Sequence, residues 1–223
     1  MSVPRLAERQ ISLPVADGDA VAGDLSVPAG SAGIVIFAHG SGSSRKSSRN
    51  RGVAATLQAS GFATLLFDLL TDAEERRDDL TGELRFDISF LADRLRQVIR
   101  WVRADPDLAA LPLGLFGAST GAAAALVAAA GDDAVRAIVS RGGRPDLARD
   151  ALERVTAPTL LIVGSLDTPV VGMNRTAFER LGSKDKELVI VAGATHLFEE
   201  PGKIEEVARL AADWFERWSA RAA

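Results

Sequence analysis

Six short apolar runs punctuate the chain: GIVIFA (Gly33–Ala38), FATLL (Phe62–Leu66), LGLF (Leu113–Phe116), VRAIV (Val135–Val139), TLLIV (Thr159–Val163) and LVIV (Leu188–Val191). Each is too short for a helix and most are apolar at nearly every position, the pattern of a strand covered on both faces. A different period separates them. Over 87–103, Ile88, Leu91, Leu95, Val98, Ile99 and Val102 fall on one helical face, and Asp105-Pro106 closes the segment. Over 203–218, Ile204, Val207, Leu210, Ala211, Trp214 and Trp218 do the same. Further helices are predicted from Gly52 to Ser60, after Gly121, over 146–154 and over 171–181. At the start, QISLPV (10–15) and AVAGDLSV (20–27) flank Asp17-Gly18-Asp19, which predicts a hairpin. Residues 71–85 carry many charges and few apolar positions and read as a surface loop, with room for a helical turn. Buried strands alternating with amphipathic helices predict a mostly parallel α/β sheet with helices on both faces, right-handed crossovers and a single domain over 1–223. In such sheets ligands bind at the carboxyl ends of the strands.

One junction stands out. The run Leu113–Phe116 reaches Gly117, turns at Ser119, meets Gly121 and opens into an alanine-rich helix. This G-x-S-x-G pattern in strand–turn–helix context projects a serine hydroxyl above a sheet, and glycines two residues to either side avoid a Cβ clash. A serine becomes a nucleophile only when a base takes its proton. The chain has only two histidines, His39 and His196. His196 follows the last predicted strand and Asp167 the strand before it, so Ser119, Asp167 and His196 come in order at the ends of three strands. Asp68, after FATLL, is the rival acid. The oxyanion of an acyl intermediate needs two donors. The Thr120 N–H is the first; the second is expected from His39-Gly40-Ser41-Gly42, with Ser41 preferred over Gly42, and His39 organising that loop.

Composition narrows the classes. With 223 residues, 47% of them hydrophobic, the chain can bury a large core. A net charge of −4 gives no general attraction to nucleic acid or to an anionic membrane. The absence of cysteine removes disulfides, a thiolate nucleophile and Cys-based metal sites. No G-x-x-x-x-G-K-[ST] phosphate loop occurs. MSVPRLAERQ has no apolar leader pattern and no segment reads as a membrane span, so a cytoplasmic protein acting on a small molecule is expected, with no cofactor.

Together HGSGSS, GASTG, GSLDTPV and GATHLF resemble the α/β-hydrolase superfamily, and over about residues 10 to 218 the chain is similar to dienelactone hydrolase-type proteins. That resemblance implies an α/β-hydrolase fold and a Ser119–His196–Asp167 triad cleaving esters, lactones or thioesters through an acyl-enzyme. Dienelactone hydrolases proper carry a cysteine nucleophile, where this chain has Ser119. The chain also resembles a group in which such domains are joined to phosphoribosyltransferase-like domains. Acyl transfer by the same residues, or a non-catalytic binding module on the same fold, are the alternatives.

Two loops carry the substrate clue. Arg45, Lys46, Arg49 and Arg51 follow the oxyanion loop, and Arg141 and Arg144 lie in SRGGRPD. Arg141 and Arg144, with His39, Gly40 and Gly42, are candidate substrate contacts, the arginines for a carboxylate or phosphate. The plainer account pairs the arginines with Asp68, Asp146 and the acidic 72–79 stretch. Only about fifteen residues separate Val139 from Arg154, too few for a cap domain, so an open site is expected with 71–85 as the only other cover. Trp214, Phe215 and Trp218 read as core and rim, with a homodimer surface as the other account.

Overall fold

A computed structural model describes residues 7–219; residues 1–6, most of the stretch read for a leader, and 220–223 lie outside the described residues. The sheet is built outward from β3 (Ile34–Ala38), which is buried at all five positions. The same holds for β4 (Ala63–Phe67), β5 (Leu113–Ala118) and β7 (Thr159–Gly164). Together with β1 (Ala7–Pro14), β2 (Ala20–Val27), β6 (Val135–Arg141) and β8 (Lys186–Val191) they form one eight-stranded sheet in the order β1-β2-β4-β3-β5-β6-β7-β8. The β1–β2 hairpin and the β2–β4 pair are antiparallel, and every other pair is parallel.

Period-2 alternation divides the side chains between two cores. On one face, Ile36, Leu65, Leu115 and Ile138 meet α3 (Ile88–Ala104) and α4 (Thr120–Ala129). On the other, Phe37, Phe116, Val139 and Ile162 meet α1 (Ser48–Ala59) and α6 (Lys203–Ser219). Each fully buried Leu, Ile or Phe contributes about 1.5–3 kcal/mol relative to exposure, so these two layers supply most of the driving force. Phe215 lies 6.3 Å from Phe62 between ring centroids. Trp214, Phe215 and Trp218 are all buried within this chain, as the core account of them expects.

The 71–85 stretch differs from expectation. Residues Asp72–Thr81 form a helix, α2, closed at its start by a full capping box of Thr71 and Glu74. Glu74 also accepts from Arg94 of α3 at 2.7 Å. The only buried residue of α2 is Asp78. Its carboxylate accepts from the Leu84 N–H at 2.6 Å and from Arg85 Nε at 2.5 Å. These bonds hold its carboxyl below the usual carboxylate range in spite of burial. A helix docked by polar contacts leaves no apolar stripe for sequence periodicity to detect. The 146–154 segment is 3-10 rather than α-helical, spans Pro145–Arg154 and kinks at Arg149. The helix expected over 171–181 begins earlier, and α5 covers Thr168–Arg180. Among the described residues, no helix is long and apolar enough to cross a membrane.

Candidate active site

Strand β5 delivers Ser119 into a turn with φ 51° and ψ −122°, after which α4 begins. A non-glycine residue held there is strained and persists only where its surroundings over-determine it. Here the surroundings are backbone. The Ser119 N–H donates to the Arg141 carbonyl at 3.2 Å, and the Ser119 carbonyl accepts from Ala122 and Arg144, both at 3.1 Å. The flanking glycines are required by close approach. A Cβ on Gly117 would stand 2.4 Å from Ala122 Cα, and one on Gly121 would stand 2.2 Å from the Ala38 carbonyl oxygen.

Asp167 and His196 come from loops sewn to one another. The Leu166 N–H donates to the Ala194 carbonyl at 3.0 Å, and the Gly193 N–H to Ser165 Oγ at 2.8 Å. Asp167 caps α5 by position only; its side chain makes no cap bond. Instead Asp167 Oδ2 meets His196 Nδ1 at 2.6 Å. That leaves Nε2 as the ring nitrogen available to a hydroxyl. The ring sits over the end of β6, with Cε1 3.7 Å from where a Cβ on Gly142 would be. Sequence reasoning missed Glu200. Its carboxylate accepts from the Thr195 hydroxyl at 2.6 Å, closing the loop that carries His196, and this bond holds the Glu200 carboxyl below its ordinary range. Glu199-Glu200 reads in sequence as two surface acids, with no signal separating them.

At the end of β3, His39 is buried and both ring nitrogens meet backbone: Nδ1 faces the Gly40 carbonyl at 2.9 Å, and Nε2 accepts from the Leu69 N–H at 3.0 Å. Burial pulls its pKa below the ordinary value, and an Nε2 that accepts from the Leu69 N–H carries no proton of its own. Asp68, the rival acid, anchors this loop by accepting from the Arg45 N–H at 2.8 Å and from the Arg45 guanidinium. The geometry thus gives His196 and Asp167 the pairing, and His39 and Asp68 the loop. The Ser41 N–H is engaged, donating to Thr120 Oγ1 at 2.9 Å.

A family model for the dienelactone hydrolase family matches residues 21–220. The chain belongs to the dienelactone hydrolase family. Among solved structures, it is similar to a dienelactone hydrolase from Anabaena variabilis, with 54% identity, 96% of this chain and 98% of that one covered, and a TM-score of 0.93. Est1E from Butyrivibrio proteoclasticus shares the fold at 17% identity and a TM-score of 0.79, covering 95% of this chain and 99% of that one. Two Mycobacterium tuberculosis proteins provisionally named phosphoribosyl transferases are each 57% identical over 213 residues. That match covers 95% of this chain but 47% of each relative, so the chain spans about half their length.

In this dienelactone hydrolase-family chain a small cleft of about 50 Å³ opens beside the His39–Gly42 loop. Its lining includes His39, Gly40, Ser41 and Gly42 on one side and Glu75, Asp78 and Arg85 on the other, so α2 walls it. Gly40 lies against Ser119, since a Cβ there would sit 3.0 Å from Ser119 Cβ. The arginines divide sharply. Arg144 forks onto Asp146 at 2.9 and 2.8 Å and Arg45 pairs with Asp68, as the plainer account expects, whereas Arg51 pairs with Asp24 at 3.2 Å. Arg141 is buried and no carboxylate pairs with it among the described residues. Burial, and then the charge of Arg49, pulls its pKa down to about 10. Among the described residues, no cluster of three or more His, Asp or Glu side chains could hold a metal ion.

Proposed function

We propose that this chain is a serine hydrolase that cleaves small carboxylic esters through an acyl-enzyme. The observation that carries this reading is the 2.6 Å bond between His196 Nδ1 and Asp167, on loops at the same carboxyl end of the sheet as the strained Ser119. Ser119 Oγ attacks the ester carbonyl as His196 Nε2 takes its proton. The C–O bond then breaks, and the alcohol leaves with that proton. Water, deprotonated by the same nitrogen, releases the acid and restores Ser119. Asp167 fixes the tautomer and stabilises the imidazolium. The A. variabilis relative's name and the family membership support ester or lactone cleavage as the reaction class. The transferase name of the M. tuberculosis relatives attaches to proteins about twice as long, and the present reading concerns the part they share with this chain. A fluorophosphonate probe should label Ser119 and nothing else at stoichiometric levels. An unlabelled, folded protein would instead favour a binding module.

The developing oxyanion meets the first turn of α4, whose N–H groups have no intrahelical partner. The Thr120 N–H is the first donor. The second, in this proposal, is the Thr120 hydroxyl. Its oxygen accepts from the Ser41 N–H at 2.9 Å, which polarises the O–H it still has to donate. Thr120→Val should then lower kcat about 10- to 100-fold with KM little changed, while Thr120→Ser keeps most activity. Wild-type kcat in Thr120→Val would return the role to the backbone amides alone.

A further inference from the structure

Asn174 lies within α5 with none of its surface exposed. Its carboxamide nitrogen donates twice, to the Val170 carbonyl at 2.8 Å and to the Gly143 carbonyl at 3.0 Å. Both partners are carbonyl oxygens, so the side chain must turn its NH2 group toward them. The bond back to Val170, one turn earlier, fixes the rotamer and aims the other N–H at Gly143. At the far end Asn174 Oδ1 is buried with no hydrogen-bond partner. A buried acceptor without a donor costs stability, so packing alone does not account for a carboxamide here. The next bond shows what its donors hold. The Gly143 C=O and the Arg144 N–H belong to one peptide unit, and that N–H donates to the Ser119 carbonyl at 3.1 Å. The Ser119 N–H donates in turn to the Arg141 carbonyl at 3.2 Å, so residues 141–144 grip the strained Ser119 backbone from both sides. With glycine at 143, no side chain of that residue holds the peptide in place. Asp167 stands at the start of α5, and Asn174 lies two helical turns on, along the same face.

We propose that Asn174 is a positioning residue: through the Gly143–Arg144 peptide it sets the orientation of Ser119, and through α5 it ties Ser119 to the helix that Asp167 begins. The proposal rests on the serine-hydrolase reading of Ser119 for its effect on rate, though not for its hydrogen bonds. The bonds run in one sense, from Asn174 Nδ2 to the Gly143 oxygen and from the Arg144 N–H to the Ser119 oxygen, so each polarises the next. Without the first bond the peptide can rotate, and the Ser119 carbonyl loses one of its donors. The φ of 51° at Ser119 is then no longer over-determined by its surroundings, and Oγ leaves the position that His196 needs. Asn174 has no exposed surface to offer a substrate, so the loss falls on kcat and not on KM.

The test combines amide hydrogen exchange, read residue by residue by NMR, with kinetics on the full chain. Asn174→Leu and Asn174→Ala are compared with the wild type and with Ile34→Val, a loss of packing at the amino end of β3, away from the site. In the wild type the Arg144 amide should be protected; exchange at the rate of an unstructured chain overturns the proposal without any variant. In both Asn174 variants Arg144 should exchange about tenfold faster or more, while Leu115 in β5 changes by less than about threefold. The kcat for p-nitrophenyl acetate and the rate of fluorophosphonate labelling should both fall about tenfold or more, with KM within about twofold of wild type. Ile34→Val should leave Arg144 exchange and kcat as they are in the wild type. Unchanged exchange in the Asn174 variants overturns the proposal, and so does faster exchange with wild-type kcat and labelling. An equal fall in Ile34→Val reduces Asn174 to a packing residue and overturns it too. Faster Arg144 exchange in the Asn174 variants of a protein that neither labels nor cleaves esters rejects the hydrolase reading alone, and the hold of Asn174 on the Ser119 backbone stands.

Discussion

Ser119→Ala should lower kcat for p-nitrophenyl acetate by about 10⁴-fold or more while the protein stays folded. The magnitude follows from mechanism. Without Oγ no acyl-enzyme forms, and what remains is the rate that oxyanion donors and a histidine give to a passing water. The second half of the expectation is structural. The Ser119 side chain makes no cap hydrogen bond to α4, so removing its hydroxyl orphans no backbone group. Alanine keeps the Cβ that packs near Gly40, and the bonds holding the strained backbone run from Ser119 N and O to Arg141, Ala122 and Arg144. The thermal midpoint should therefore stay within about 2 °C of wild type. A variant retaining more than a tenth of wild-type kcat sinks the proposed mechanism. A variant that unfolds shifts the account of the elbow, since Oγ would then have a structural role the hydrogen bonds do not reveal.

The parts of this site that sequence discloses are those tied to backbone geometry. Gly117 and Gly121 announce the elbow because a tight strand–turn–helix junction excludes any Cβ there, and that requirement is written in residue identity. The ends of buried strands are likewise legible, since a continuous apolar run stops where the loop begins. Three loop positions, 119, 167 and 196, follow once the G-x-S-x-G motif and the chain's two histidines are added. Contacts between loops were not legible. Glu200 and Asn50 are generic polar residues whose roles depend on what folds against them, Thr195 and Arg141 respectively. The engagement of the Ser41 N–H by Thr120 is a pairing across 79 positions that no local pattern encodes. Helix α2 was missed for a related reason. Its docking runs through Asp78–Arg85 and Glu74–Arg94 rather than through an apolar stripe. The arginines illustrate both cases. Arg144 pairs two residues away with Asp146, which sequence proximity suggests, whereas the lack of a carboxylate at Arg141 emerges only in three dimensions.

Gly121→Ala should be strongly destabilising, although helix propensity alone says the opposite. Gly121 lies in the first turn of α4, and replacing a helical glycine by alanine gains about 1 kcal/mol on propensity. Against that gain stands overlap. The new Cβ would sit 2.2 Å from the Ala38 carbonyl oxygen, 2.4 Å from that of His39 and 2.7 Å from Ala38 C. All three are backbone atoms, so no side-chain rotation relieves the contact. Nor can the strand retreat, because β3 is paired on both edges, to β4 and β5, and is buried along its length. Overpacking a core by a single methyl typically costs about 1–3 kcal/mol where neighbours can shift. With immobile backbone on one side the cost should reach about 3 kcal/mol or more, lowering the midpoint by about 6–12 °C. Any relief must come from α4 lifting off β3. That movement carries the Thr120 N–H away from the position of the oxyanion, so kcat in the surviving folded fraction should fall as well. Gly52→Ala is the matched control. Gly52 is helical too, in α1, but a Cβ there meets nothing within 4 Å, so the propensity gain of about 0.5–1 kcal/mol should appear undiminished. Two identical substitutions in two helices are thus expected to have opposite signs. A Gly121→Ala midpoint at or above wild type would mean that α4 does not press on the end of β3 as described, and the oxyanion site built on that contact would fall with it.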